Sequence, residues 1–591
     1  MVGYAMELSE SPAQNGDRQE ALQSADRNVS SGQQMAQGGR IVRVDGEDAI
    51  IVESDSKEGS LALPSTKKPA PSTDERVAEP SPIIGADRGK LDASDSAASA
   101  KKAVPARLAS EKTVVEPQGK GKNSGIPFDP IRENGEYFKG WTKPTLALVI
   151  TGREDGYLEP CGCAGLERMK GGLSRRSSFL SELRQQRGWD VAALDVGGLS
   201  KGFGKQIELK YQTTVDAMRA LRYDAIAVGK DDLRLPTAFL TSVIAGVGGK
   251  ESDFVAANVA LFDFDAAILP RKKIIQAGGM KLGVTAILGV KFQKEINNSD
   301  VKMIPPEEAI KAVLPELKKA GCDKRILLSH ATMDESIALA KRFPEFDIVI
   351  TAGGPAEPPG DKPRKVGEKT LLVDVGEKGM AAIVLGFYDG KPVRYQRVLL
   401  DSRYKPASKI TALMEAYQNT LGDAGLSGLE IRPMPYPRAE LQGAFVGSKK
   451  CETCHEESYR VWKKSGHAKA YETLVKAVPA RNFDPECVSC HVVGWRPIEN
   501  RPYESGFLTK KETPHLTDVG CESCHGPGGN HIAAEVKNDA ALQKKMQQAM
   551  VVTKAESEKR LCTTCHDLDN SPDFEFGYYW PKVEHREKDK K

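Results

Sequence analysis

The chain has 591 residues and sets 84 Lys and Arg against 81 Asp and Glu, so it is too long for one ordinary domain and nearly balanced in charge. That balance, with no basic stripe of interleaved aromatics, excludes a nucleic-acid-binding protein. No apolar run approaches the roughly 18 residues a membrane helix needs, so no transmembrane segment is expected.

Residues 1–135 are rich in Ser, Ala, Lys, Asp and Pro, as in Pro64-Ser-Thr-Lys-Lys-Pro and Leu91-Asp-Ala-Ser-Asp-Ser. Such stretches bury too little apolar surface to offset chain entropy, and a disordered, low-complexity tether is expected. Within it, Ile41-Val42 and Ile50-Ile51-Val52 predict a short hairpin over Gly39–Glu53. Met1–Arg40 has neither the basic n-region nor the apolar h-region of an export signal, so the true start is expected upstream.

From residue 140 to 403 strands alternate with helices, which predicts an α/β layered domain with a mixed sheet. The predicted strands are Thr145–Ile150, Val191–Val196, Asp224–Val228, Phe254–Asn258, Arg325–Ser329 and Asp347–Ile350. Hairpins are expected over Ile274–Leu288 and over Leu371–Leu400, the latter around Tyr388-Asp-Gly390. Helices are expected over Gly172–Gln186, Lys205–Arg222, Glu307–Ala320 and Asp334–Arg342. Residues 404–440 read as a helix plus a Pro-containing linker, and 443–591 as a mainly α domain.

That last segment holds the pattern C-x-x-C-H four times: Cys451, Cys454, His455; Cys487, Cys490, His491; Cys521, Cys524, His525; Cys562, Cys565, His566. It is the attachment pattern of c-type haem, in which two thiols form thioethers to the porphyrin and the adjacent His ligates iron. Zinc sites and disulfides also use C-x-x-C pairs, but neither accounts for a His in the fifth place every time. Of the nine His, four more lie in the same segment: His467, His515, His531 and His585. Low-spin electron-transfer haems need a second axial ligand, and these are its candidates; Met546 and Met550 read as packing residues. The cofactor expected is haem c, four copies, covalently bound. Because thioether attachment takes place outside the bacterial cytoplasm, a periplasmic or otherwise extracytoplasmic location is expected.

The stretch from Phe445 to His585 resembles the tetrahaem cytochrome c-554 family. The residues that carry the resemblance are Val446-Gly-Ser-Lys-Lys-Cys451, Ser465-Gly-His467-Ala, Gly520-Cys-Glu-Ser-Cys-His-Gly-Pro-Gly528 and Tyr579-Trp-Pro-Lys-Val-Glu-His585. The resemblance implies a periplasmic electron carrier with three bis-His haems and one that can be five-coordinate, and His515 is then the candidate to drop.

The α/β domain resembles the metallophosphoesterase fold of 5'-nucleotidases, through Gly156–Cys161, Gly171–Arg176, Ala192–Gly197, Tyr223–Gly229, Leu328–His330 and Phe346–Ile350. That family uses two metals held by Asp, His and Asn. Here the ligand motifs fall on Arg153-Glu-Asp155, Gly197-Gly198, Gly229-Lys-Asp-Asp232 and Gly354-Pro-Ala-Glu357, and only His330 is kept. Cations at ligand positions repel metals, so hydrolase activity is not expected. The alternative is a rearranged site for one hard cation on Asp155, Asp231, Asp232 and His330, set against a solvated loop cluster. Cys161-Gly-Cys163 in the first loop reads either as a disulfide or as a redox or ligand site facing the haem segment. Cys322 reads as a buried apolar residue.

Two functions follow. The first is an electron-transfer protein with redox partner proteins as donor and acceptor, the α/β domain serving for docking or sensing. The second is an oxidoreductase or phosphohydrolase with its substrate site in the α/β cleft and the haems as its wire.

Overall fold

The computed structural model describes residues 128–162, 165–246 and 250–585, together with the backbone of 40–44 and 47–51. Most of the expected tether lies outside the described residues. Within it, Arg40–Val44 and Glu47–Ile51 pair antiparallel, with Val44 opposite Glu47.

The α/β domain holds two six-stranded sheets where one mixed sheet was expected. The first runs, edge to edge, Arg394–Leu399, Ala381–Phe387, Leu146–Thr151, Val191–Asp195, Ala225–Ala227 and Phe254–Val255. Its first two neighbour pairs are antiparallel and the other three parallel. The second runs Arg364–Val366, Thr370–Asp374, Ile348–Thr351, Lys324–His330, Met280–Leu288 and Lys272–Ala277, parallel in its centre and antiparallel at both edges.

Period-two alternation decides which side chain faces which layer. Leu146, Leu148 and Ile150 point between the sheets, into one core with Val284, Ile326, Leu328, Ile350 and Leu385. Ala147 and Val149 point the other way, against Phe179, Leu183, Tyr211 and Val215 of covering helices. Helices Pro306–Lys319 and Met333–Arg342 cover the second sheet through Ile310, Val313, Leu317 and Leu339. A strand buried on both faces reads as an unbroken apolar run, and such a run does not say whether helix or sheet covers it. That is why the sequence merged the two sheets.

Two boundaries also move. Residues 130–134, assigned by composition to the tether, form a helix whose first turn donates Ile131 N to the Asp129 carboxylate at 2.9 Å. Asn134 bonds Asp401 at 2.7 Å and Arg403 bonds the Pro130 carbonyl at 2.7 Å, so this turn is fastened to the segment just after the domain's last strand. The helix Ser408–Gly428, expected as a helix ahead of a linker, buries Ile410, Met414, Tyr417 and Leu421 in the outer core of the first sheet. These positions recur every three or four residues and form one face. At Gly425 the backbone turns to φ 56° and the helical path breaks. Beyond it Tyr436 packs on Phe445 and Tyr503, within the next domain.

The segment from 443 onward is built of short helices and one two-stranded ribbon, around a small core that includes Phe445, Tyr471, Leu474, Val493, Trp495 and Phe507. Among the described residues no helix is long and apolar enough to cross a membrane.

Candidate functional site

Each C-x-x-C-H motif is folded as about one helical turn. His455 N and His566 N bond the carbonyls of Cys451 and Cys562, both at 2.9 Å, and Cys521–His525 is a short helix. In the second motif the Asp484 carboxylate accepts from Glu486 N at 3.0 Å and starts the helix Pro485–Val488. A turn of this pitch sets residues i, i+3 and i+4 on one side. Both thiols and the imidazole of each motif therefore address one object.

Three of the four motif imidazoles face a second imidazole from far along the chain. The ring centres of His455 and His531 are 6.2 Å apart, those of His467 and His566 6.1 Å, and those of His525 and His585 5.8 Å. An imidazole nitrogen bonds a transition metal at about 2 Å, with the ring centre roughly 1 Å behind it, so two rings across one iron stand about 6 Å apart. Direct packing of rings needs no such gap. Nδ1 of His491 and of His525 is 2.7 Å from the carbonyls of Ala470 and Met550, and Nδ1 of His566 is 3.0 Å from Ser571 Oγ. A carbonyl acceptor makes Nδ1 the protonated nitrogen and leaves Nε2 bare for a metal. Burial holds His467 down at about 4, a neutral imidazole at pH 7. The donor set fits haem.

His515 does not join this pattern. It is exposed on the short turn Pro514–Leu516, where Leu516 enters the core and the imidazole lies over Gly447. Met546 is buried, and the Met550 sulfur lies 3.3 Å from Gln442 Nε2, so both pack as expected.

The thiols form a row. The side chain of Cys451 meets Cys521, and that of Cys490 meets Cys565. Cys524 lies within electrostatic reach of Cys562 and Cys565. At one end, Cys161 of the α/β domain lies within reach of Cys487 and Cys490. Its expected partner Cys163 lies outside the described residues. Cys322 is buried, as expected, against Leu317 and Gly283.

At the loop end of the first sheet the acids suggested as a cation site are put to other uses. Asp232 is fully buried and accepts four hydrogen bonds: Ser200 N and Oγ at 2.8 and 2.9 Å on one oxygen, Gly198 N and Gly229 N at 3.1 and 2.8 Å on the other. Its lone pairs are taken by N–H and O–H donors. Asp231 is paired with Arg234 at 3.0 Å. Burial lifts Asp155 to about 6, against the pull of Arg153 and Lys201. His330 bonds the Val196 carbonyl at 3.0 Å and is held down at about 4 by burial. A Cβ on Gly229 would run into Gly198 N and stand 2.9 Å from His330 Cε1, so these loops already touch. Among the described residues no group of three or more His, Cys, Asp or Glu is set to hold a metal ion. The four-residue cation site is therefore not formed.

Sequence reasoning missed a second set. Glu154 and Arg176 form a fully buried ion pair at 2.5 Å behind this face. Gln206, Lys210 and Gln418 reach from the α/β domain to Asp484 and Glu486, just ahead of Cys487. The available signal was polar residues on the buried stripe of a helix: Gln206 and Lys210 share that face with Tyr211 and Thr214.

The family described as cytochrome c554 and c-prime matches residues 450–526. Cytochrome c-554 of Nitrosomonas europaea is 35% identical over 148 residues, covering 22% of this chain and 60% of that protein, so the chain spans less than two thirds of the relative. Among solved structures, a 5'-nucleotidase precursor from Thermus thermophilus is 20% identical at a TM-score of 0.41, covering 47% of this chain and 59% of the other. A calcineurin-like phosphoesterase from Bacillus subtilis is 16% identical at a TM-score of 0.38, covering 46% of this chain and 97% of the other. In sequence, then, the carboxyl-terminal segment is similar to cytochrome c-554.

Proposed function

We propose that this protein is an extracytoplasmic electron carrier with four covalently attached haems, bound by Cys451 and Cys454, Cys487 and Cys490, Cys521 and Cys524, and Cys562 and Cys565. The observation that carries the reading is the three imidazole pairs at 5.8–6.2 Å. Haem iron supplies the one-electron chemistry. The chain's own residues do the rest. His455 with His531, His566 with His467 and His525 with His585 would hold three irons, and His491 would be the motif ligand of the fourth. Hydrogen bonds to Nδ1 fix ring orientation and tautomer. His467, His491, His525 and His566 are partly withdrawn from water, which would lower the reorganisation that accompanies each charge change, while His585 is exposed. The meeting of Cys451 with Cys521 and of Cys490 with Cys565 supports neighbouring attachment sites for the first and third motifs and for the second and fourth. Donor and acceptor are redox proteins.

The α/β domain acts in this reading without phosphoester hydrolysis, because Asp232 is committed to backbone donors. The test is the mass of the purified native chain together with electron paramagnetic resonance of its oxidised form. Four haem masses and at least three low-spin irons are expected. A chain with the bare polypeptide mass, or one rich in zinc, overturns the proposal.

A further inference from the structure

The second motif is held against the α/β domain by buried polar groups. Asp484 is 5% exposed and accepts from Gln206 Nε2 and Gln418 Nε2, both at 2.8 Å. Glu486, the residue before Cys487, accepts from Lys210 Nζ at 2.6 and 2.8 Å. Lys210 is 9% exposed, and its ammonium lies 3.7 Å from where a side chain on Gly156 would begin. Gly156 opens the loop that continues through Tyr157 and Glu159 to Cys161, which acts electrostatically on Cys487 and Cys490. Taking an ammonium and a carboxylate out of water is costly, and apolar residues join two domains without that cost. A charge pair with its ammonium buried and its carboxylate half-buried, next in sequence to Cys487, therefore invites a role that apolar residues do not perform.

We infer that Lys210 and Glu486 tune the haem tethered by Cys487 and Cys490, so that the α/β domain sets the potential of that haem. The inference rests on the reading of four attached haems. A carboxylate near an iron favours its oxidised form and an ammonium favours its reduced form, and the low local dielectric enlarges both effects. In the intact pair the ammonium of the α/β domain offsets the carboxylate of the haem-motif segment, and so holds the potential above the value the carboxylate alone would give. Removing either one leaves the other uncompensated. Lys210 and Glu486 are thus positioning residues for redox chemistry, and the two charges act with opposite signs.

The experiment is a redox titration of the full-length, haem-loaded protein. Lys210→Met is expected to lower one of the four potentials and Glu486→Gln to raise the same one. The double variant should return it close to the starting value, and Lys210→Arg should leave it nearly in place. Movement of both single variants in the same direction, an equal displacement of all four potentials, or no displacement overturns the inference. A purely structural role loosens docking, and loosening moves both variants alike. Should Lys210→Met fail to fold, Glu486→Gln alone decides by the sign of its change. Loss of haem mass in the parent protein instead overturns the four-haem reading, and the two failures are told apart by weighing the chain first.

Discussion

Asp232 shows how much one carboxylate can organise. Its two oxygens draw Gly198, Ser200 and Gly229 together, and these lie on loops that follow different strands. Asp232→Asn turns one acceptor into an NH2 group facing N–H donors, and removal of charged acceptors at a buried site costs about 2–4 kcal/mol. The check is thermal or denaturant unfolding of the α/β domain, with metal content unchanged between variant and parent. Asp195 behaves differently, because burial lifts it to about 6 despite hydrogen bonds from Thr151 Oγ1 and Gly197 N. A carboxyl raised on folding holds its proton in the native state where the unfolded chain has lost it. Stability from this group is therefore greatest below its ordinary range near 4 and falls as pH rises through about 6, by up to about 3 kcal/mol. Asp195→Asn should flatten that part of the curve; an unchanged slope between pH 4 and 6.5 contradicts the assignment. Neither role was legible in advance. A buried Asp accepting four hydrogen bonds and an Asp ligating a cation are the same letter, and only the donors around it distinguish them.

At the scale of elements, the sequence was most informative where periodicity and spacing are local. The strands around Leu146, Val191, Lys324 and Ile348 fall within a residue or two of expectation, because apolar runs of four to seven residues bounded by turns have few other readings. The haem motifs were legible for the same reason: the four spacings are written in five consecutive residues each. Distal imidazoles were legible as a supply, and their pairing was not. His467 meets the fourth motif rather than the first, although it follows the first by only twelve positions (467 less 455). Pairing of that kind is set by how short helices cross, which no local pattern encodes. The long helix Ser408–Gly428 was legible as a helix but not as part of the α/β core, because its apolar face is visible and its cover is not. Leu421 is wholly buried there. Leu421→Ala should cost about 2–5 kcal/mol in the α/β domain. A fragment ending at residue 403 should be poorly folded, while one carried through the helix unfolds cooperatively. Equal stability of the two fragments refutes the helix's place in that core.

At the scale of the whole molecule, the seam between the α/β domain and the haem-motif segment decides whether the chain behaves as one body or two. Its centre is the buried cluster of Gln206, Gln418, Lys210 and Asp484, with the half-buried Glu486 at its margin. Toward the solvent it carries ion pairs of Arg168 with Asp573 and Lys378 with Asp569. The outer pairs are exposed enough for salt to screen them, and exposed pairs contribute about 0–1 kcal/mol. The centre is different, because Asp484 satisfies two buried amides and starts the helix that carries Cys487. Asp484→Ala leaves both amides without that acceptor and removes the helix cap, an expected loss of about 2–4 kcal/mol. Coupling between the domains has to fall by the same amount. The parent protein should therefore unfold in one transition, whether followed by haem absorbance or by the circular dichroism of the sheets. In the variant the two signals should separate, the haem-motif segment keeping its covalent cofactors while the α/β domain melts at its own temperature. Added salt should leave the parent's single transition nearly unchanged, since its weight lies in groups that water does not reach. Two transitions already present in the parent would mean that the seam joins the domains only loosely, and would remove the basis for electrostatic tuning across it.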